Sequence, residues 1–194
     1  MKKVLGFDIS SSTIGYCVLE VDDINNTTKY ISMNYLTPSK KGTIMERIVD
    51  TRDKLIDIID KIKPDYIGIE DLIKFMPKST ATTVVVLTTF NRMVCLLSYD
   101  YLQRQPELFN VMSIRHGLKL NKDLPKKEDM PELVAKHLGI TFPYEHDKKG
   151  KVKVESFDKA DGVAVALYYA FVLTGKIVRK VKKPKVKKSK VNKK

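Results

Sequence analysis

The chain has 194 residues, 43% of them apolar, enough for one domain with a full hydrophobic core. Its two cysteines and three scattered histidines lack metal-ligand spacing, which argues against a zinc site or a disulfide scaffold and for a reducing compartment; no uninterrupted apolar run approaches the roughly 18 residues of a membrane span, and "MKKVLGFDIS" lacks the apolar core and cleavage site of a secretory leader. The formal net charge is +13, but 11 of the 36 basic residues follow Thr174, leaving 25 basic against 23 acidic residues before it, so residues 1–174 are expected to form the folded domain and residues 175–194 a disordered polycationic arm for nucleic acid, with a merely solubilising tail or an anionic membrane surface as the alternatives.

Residues 3–9, "KVLGFDI", form a short apolar strand ending near Asp8, and "SSST" turns the chain. Strands 14–21 and 29–36 follow, joined by the polar loop "DDINNTT", which suggests an antiparallel meander. From Thr43 to Lys63 the apolar residues Ile44, Ile48, Leu55, Ile58, Ile59 and Ile62 keep near 3.6-residue spacing, so a helix is predicted, stopped by "KPD". "YIGIE", 66–70, reads as a buried strand ending in Glu70. Residues 79–104 are β-branched at first, but Leu87, Phe90, Val94, Leu97 and Tyr101 favour one long helix capped by Ser79 or Thr80.

"LFNVMSI", 108–114, is predicted as a fifth strand, followed by the basic loop "RHGLKLNKDLPKK". A helix over 128–139 closes at Gly139. Residues 141–154 are a polar excursion, and a final helix starts near Asp158 and ends before Gly175. A meander followed by β/α crossovers predicts an α/β fold, a five-stranded mixed sheet flanked by helices.

Asp8 and Glu70 each end a buried strand, where open α/β sheets place their sites. Parallel pairing of those strands would bring both acids to one sheet edge. Asp158 and Asp161 lie on one helix face at i and i+3. Four converging carboxylates must share protons or hold a cation, and their hard oxygens suit Mg²⁺ or Mn²⁺. Each acid also has a plainer role: Asp8 in a turn, Glu70 at a loop start, Asp158 and Asp161 as first-turn acids that cap a helix and complement its dipole.

"GFDISSSTIGYCVLE", "YIGIED", "KKEDMPELVAKHLG" and "DKADGVAVALYYA" together resemble the RuvC-like Holliday junction resolvases of the ribonuclease H-like superfamily. The resemblance runs in order through residues 3–172. The D-x-A-D helix is its most specific member, and the ordered set is stronger than any one motif. The resemblance implies a metal-binding tetrad of Asp8, Glu70, Asp158 and Asp161. It also implies an active-site lysine at Lys127, with Lys126 the competing choice and a solvated loop lysine the plainer reading. The helix over 79–104 would correspond to the family's dimer helix. Ile9-Ser10 replaces the usual Pro-Gly, Phe75 stands later than the family's aromatic after Glu70, and the excursion and tail are additions. With these departures the chain looks more like a divergent member of viral or phage type than like a housekeeping bacterial one.

The function so implied is a structure-selective endonuclease acting on branched DNA, the four-way junction above all. It would act as a homodimer in a DNA-associated cytoplasmic setting, away from membranes. Two Mg²⁺ ions about 4 Å apart would serve the hydrolysis, with Mn²⁺ able to substitute. Arg115, Lys119, Lys122 and Lys126 are candidate phosphate contacts. Rival readings are a broader nuclease for flaps, forks or RNA–DNA hybrids, and a non-catalytic basic DNA-binding protein. Actin-like ATPases share a similar opening hairpin, but they are two-lobed and longer, and this chain lacks their second glycine-rich phosphate loop.

Overall fold

The computed structural model describes residues 1–72 and 80–178. Its elements are β1 (Lys2–Ile9), β2 (Ile14–Asp22), β3 (Thr27–Leu36), α1 (Ile44–Ile62), β4 (Tyr66–Glu70), α2 (Ala81–Leu102), β5 (Glu107–Phe109), α3 (Val111–Leu118), α4 (Met130–Leu138) and α5 (Val154–Leu173). The strands form one mixed sheet in the order β3-β2-β1-β4-β5. The β1-β2-β3 meander is antiparallel, and β4 pairs parallel with both β1 and β5.

The period of the strands sorts the two cores. On β1, Leu5, Phe7 and Ile9 point to a cluster completed by Ile48, Leu55 and Ile59 of α1 and Phe90 and Val94 of α2. Val4 points the other way, into a cluster built on α3, α4 and α5. Gly6 and Asp8 share that face with Val4, and on β4 Tyr66, Gly68 and Glu70 do the same. So both strand-end acids face α5. Helix α5 is buried almost all round from Ser156 to Ala170, as a central helix lying across the sheet must be.

Local capping is legible residue by residue. Thr43 accepts from the Glu46 N–H and Glu46 accepts from the Thr43 N–H at 2.7 Å, a capping box that starts α1. Lys63 ends α1 in the left-handed region, just before Pro64. Thr80, one of the two expected caps, starts α2. The other, Ser79, lies outside the described residues, as do Phe75 and residues 179–194 of the basic tail. Gly139 closes α4 at φ 65°.

Two expectations are corrected. The strand expected over 108–114 ends at Phe109, and the rest is helix α3. Asn110 caps that helix by accepting from the Met112 N–H at 2.9 Å, and Ile114 and Leu118, four apart, bury its apolar side. Arg115 therefore rides on a helix rather than in a basic loop. The second correction concerns α5, which begins at Val154 rather than near Asp158. Its first-turn acid is Glu155, so Asp158 and Asp161 sit beyond the turn whose N–H groups need caps. The capping explanation of that pair is removed.

The excursion is less polar than its composition suggests. Phe142 is buried, and the side chain of Lys159, itself only 5% exposed, donates to the Pro143 carbonyl at 3.0 Å and to Glu145 at 3.1 Å. Tyr35 of β3 donates to the same Glu145 carboxylate at 2.8 Å. Among the described residues α2 is the one helix long and apolar enough, by length and composition alone, to cross a membrane. Its threonines interrupt the apolar run, which is why a count of uninterrupted residues passes over it. Phe90 and Val94 pack it against the sheet, while Val85, Leu96 and Tyr99 stay exposed on its other side.

Candidate active site

The site is assembled by close approach of backbones. β1 and β4 run parallel with Gly6 beside Gly68, so Asp8 and Glu70 emerge next to each other two residues further on. Gly15 of β2 lies directly opposite Asp8. A Cβ on Gly15 would collide with the Asp158 carbonyl oxygen, and one on Gly162 would stand 2.5 Å from the Gly15 carbonyl carbon. Only glycine at both positions lets α5 lie this close to β2. That approach carries Asp158 and Asp161 to Asp8: oxygens of the three carboxylates lie within 4.8 Å of one another.

Glu70 lies outside that group of three but close enough to share its electrostatics. Burial first, then the Glu70 and Asp161 charges, push the Asp8 carboxyl well above the usual carboxylate range. Burial and the Asp161 charge push Glu70 up to about 7, with Arg115 and Lys127 opposing. Burial pushes Asp161 up to about 6 against the pull of Lys127 and Arg115. Too much negative charge is therefore gathered here for the two cations to neutralise. Hard oxygen donors with an unmet demand for positive charge fit a divalent cation of the Mg²⁺ or Mn²⁺ type.

Of the two candidate lysines, Lys127 is the one whose ammonium reaches the acids, 2.8 Å from Asp158 and 3.4 Å from Asp161. Burial lowers its proton affinity, but the Asp158 hydrogen bond and the surrounding carboxylates more than offset this, so it is raised and stays charged. Lys126 is exposed and uses its backbone N–H to cap toward Asp129 at 2.8 Å. Arg115, read from sequence as a phosphate contact, stands where its charge stabilises ionised Glu70 and Asp161. Its Nε is buried with no hydrogen-bond partner among the described residues. Lys119 and Lys122 are exposed on the loop after α3, where the Lys119 ammonium donates to the Lys122 carbonyl at 3.3 Å.

Two contributors escape sequence reasoning. One is the Gly15–Gly162 contact, whose only signal is a glycine inside a strand and another inside a helix. The other is Asn91 of α2, which is buried and donates to the Glu70 carbonyl at 3.1 Å. A polar residue within an apolar helical stripe is its signal.

No family model matches the chain. It is 24% identical to the crossover junction endodeoxyribonuclease RuvC of Fusobacterium nucleatum over 181 residues, covering 90% of this chain and 83% of that protein. Its fold matches T. thermophilus RuvC, solved in complex with Holliday junction substrate, with TM-score 0.66 and 16% identity over 89% of this chain and 94% of that one. It also matches the yeast mitochondrial Holliday junction resolvase Ydc2, with TM-score 0.61 and 16% identity over 89% of this chain and 79% of that one. The chain thus resembles RuvC in sequence along nine-tenths of its length and shares the fold of the solved resolvases.

Proposed function

We propose that this protein is a metal-dependent endonuclease that hydrolyses branched DNA, the four-way junction foremost. The observation that carries the reading is the convergence of Asp8, Asp158 and Asp161 within 4.8 Å, with Glu70 beside them and Lys127 in contact. The resolvase relatives supply the substrate class.

Asp8, Glu70, Asp158 and Asp161 would hold the divalent ions, two Mg²⁺ in this reading. Bound there, such ions supply a Lewis acid and a water of lowered pKa. The chain's own groups do the rest. Glu70, pushed up to about 7, stays partly protonated at neutral pH when no cation is present and releases that proton as the site loads. Lys127 stays an ammonium, so it acts by charge rather than as a base, against the oxygens of the pentacovalent phosphorane. Arg115 opposes the rise in the proton affinities of Glu70 and Asp161 and would offer its fork to a backbone phosphate. In the hydrolysis a water oxygen bonds to phosphorus and the P–O3′ bond breaks. The products are a 3′-hydroxyl and a 5′-phosphate.

Paired cuts across a symmetric junction call for a twofold dimer. The exposed Val85, Leu96 and Tyr99 on α2 are the face we assign to it. Lys119, Lys122 and Lys126 would follow the DNA backbone, with residues 175–194 as an additional arm. The expected setting is DNA in the cytoplasm of a bacterium or a virus-infected cell, with no membrane involved.

One cleavage panel tests this: labelled four-way junction, flap, fork and RNA–DNA hybrid, with Mg²⁺, Mn²⁺ or EDTA. Cleavage of the junction that needs the metal is the expected result. Binding without cleavage on every substrate would leave a non-catalytic DNA-binding protein.

A further inference from the structure

We propose that Asn91 of α2 is a positioning residue that sets the direction of Glu70, an inference that rests on the metal-dependent nuclease reading. The ladder between β1 and β4 ends at the pair Phe7–Ile69, one residue short of Glu70. On the other side Glu70 pairs with Phe109, and Asp71 donates its N–H to the Phe109 carbonyl at 2.8 Å. The Glu70 carbonyl accepts a hydrogen bond from the Asn91 side-chain amide instead, at 3.1 Å. A side chain from a helix thus holds the peptide that leaves Glu70.

Asn91 is placed for this task at a cost elsewhere. It is 1% exposed, next to buried Phe90 and one turn from buried Val94, where an apolar side chain would pack. Asparagine is also a poor residue for a helix interior, since its amide competes for backbone partners. Its carbonyl is engaged as well, accepting from the Cys95 thiol at 3.7 Å. Burial pushes that thiol up, so it stays a donor at neutral pH. With the oxygen held by Cys95, the amide nitrogen is left facing Glu70. Asp8, Glu70 and Asn91 line one small cavity of about 70 Å³.

The consequence is geometric. Rotation of the Glu70 peptide would swing its carboxylate relative to Asp8, and losses of this kind at a metal site cost about 10- to 100-fold in affinity. Asn91 touches none of the reacting atoms; it acts through Glu70.

The test uses the full chain with Asn91→Leu, which keeps the branched outline of the side chain and removes the donor, and Asn91→Ala, which keeps the helix should the bulkier first variant fail to fold. Thermal melting across a Mg²⁺ titration reads metal binding without turnover. Cleavage of a four-way junction across the same titration reads the loaded site, and junction binding in EDTA reads the DNA surface. Half-saturation by Mg²⁺ is expected to rise about tenfold in Asn91→Leu and about threefold or more in Asn91→Ala in both titrations. Junction affinity in EDTA stays within about twofold of wild type. Wild-type half-saturation in a folded Asn91→Ala overturns the positioning role alone. A wild type that neither melts higher with Mg²⁺ nor cuts overturns the nuclease reading, and this inference with it.

Discussion

Gly162 of α5 meets Gly15 of β2 backbone to backbone, so closely that a Cβ on Gly162 would stand 2.5 Å from the Gly15 carbonyl carbon. Asp158 and Asp161 precede this contact on α5, and Asp8 sits opposite Gly15 on the sheet. The contact is therefore a spacer that sets the distance between the helix-borne and strand-borne acids.

Substitution at this contact is expected to damage both stability and chemistry. Gly162→Ala forces backbone apart, not a flexible side chain, and overpacking of this kind costs about 1–3 kcal/mol. Denaturant unfolding should show that loss. Mg²⁺-dependent cleavage should fall by more than the folded fraction does, because α5 moves away from Asp8. Gly15→Ala should behave alike, since its Cβ would meet the Asp158 carbonyl.

Much of this site is legible in the amino-acid sequence alone. Asp8 and Glu70 announce themselves as acids closing apolar strands, and the period of two fixes their common face once the strands are paired. The segments that mislead are those whose local signal is ambiguous. "LFNVMSI" is apolar enough for a strand, and only the Asn110 cap and the Ile114–Leu118 spacing reveal a helix. The start of α5 is obscured because Lys153 makes no side-chain cap and Val154 is exposed. Arg115 changes its meaning for the same reason: on a helix its guanidinium is aimed, whereas in a loop it would be one basic residue among several. Contacts made through backbone approach, or through one buried amide such as Asn91, depend on tertiary distances that no local pattern encodes.

The carboxylates impose a pH dependence whose sign is fixed by their elevated proton affinities. Folded Asp8, Glu70 and Asp161 bind protons more tightly than their unfolded counterparts. Over the interval from the ordinary carboxylate range up to about 7, where the Glu70 value lies, the native state holds more protons, so these groups lower stability as pH rises. Metal-free protein should melt at a higher temperature near pH 5 than these acids allow near pH 8. The Mg²⁺-induced rise in melting temperature should be larger at pH 8, and the Mg²⁺ concentration needed for junction cleavage should fall as pH rises through 6–7, because protons compete with the metal at Asp161 and Glu70. Differential scanning fluorimetry across pH, with and without Mg²⁺, checks both signs.

Lys127 is held by Asp158 and Asp161. Lys127→Met removes a permanent charge from the acids, and loss of one such electrostatic contact costs about 10²–10³ in rate. Single-turnover cleavage at saturating Mg²⁺ should show this loss while junction binding in EDTA changes little. Lys126→Met, whose parent residue contacts the site through none of the described side-chain bonds, should cut at close to the wild-type rate.

Lys119 and Lys122 are expected to act on the DNA backbone rather than on the chemistry. Each phosphate contact removed by substitution to Ala should lower the slope of log Kd against log salt by about 0.9 on duplex arms. The cleavage rate at saturating protein should hardly move. A titration of junction binding between low and moderate salt separates these lysines from Lys127.

The most direct measurement compares wild type with Asp8→Asn on one labelled four-way junction, reading binding in EDTA and cleavage in Mg²⁺ from the same preparations. Asp8→Asn keeps the shape of the side chain while removing the charge that faces Glu70, Asp158 and Asp161. Junction binding near the wild-type level with cleavage abolished is the expected result. Undiminished cleavage by Asp8→Asn would contradict an active site built on these four acids.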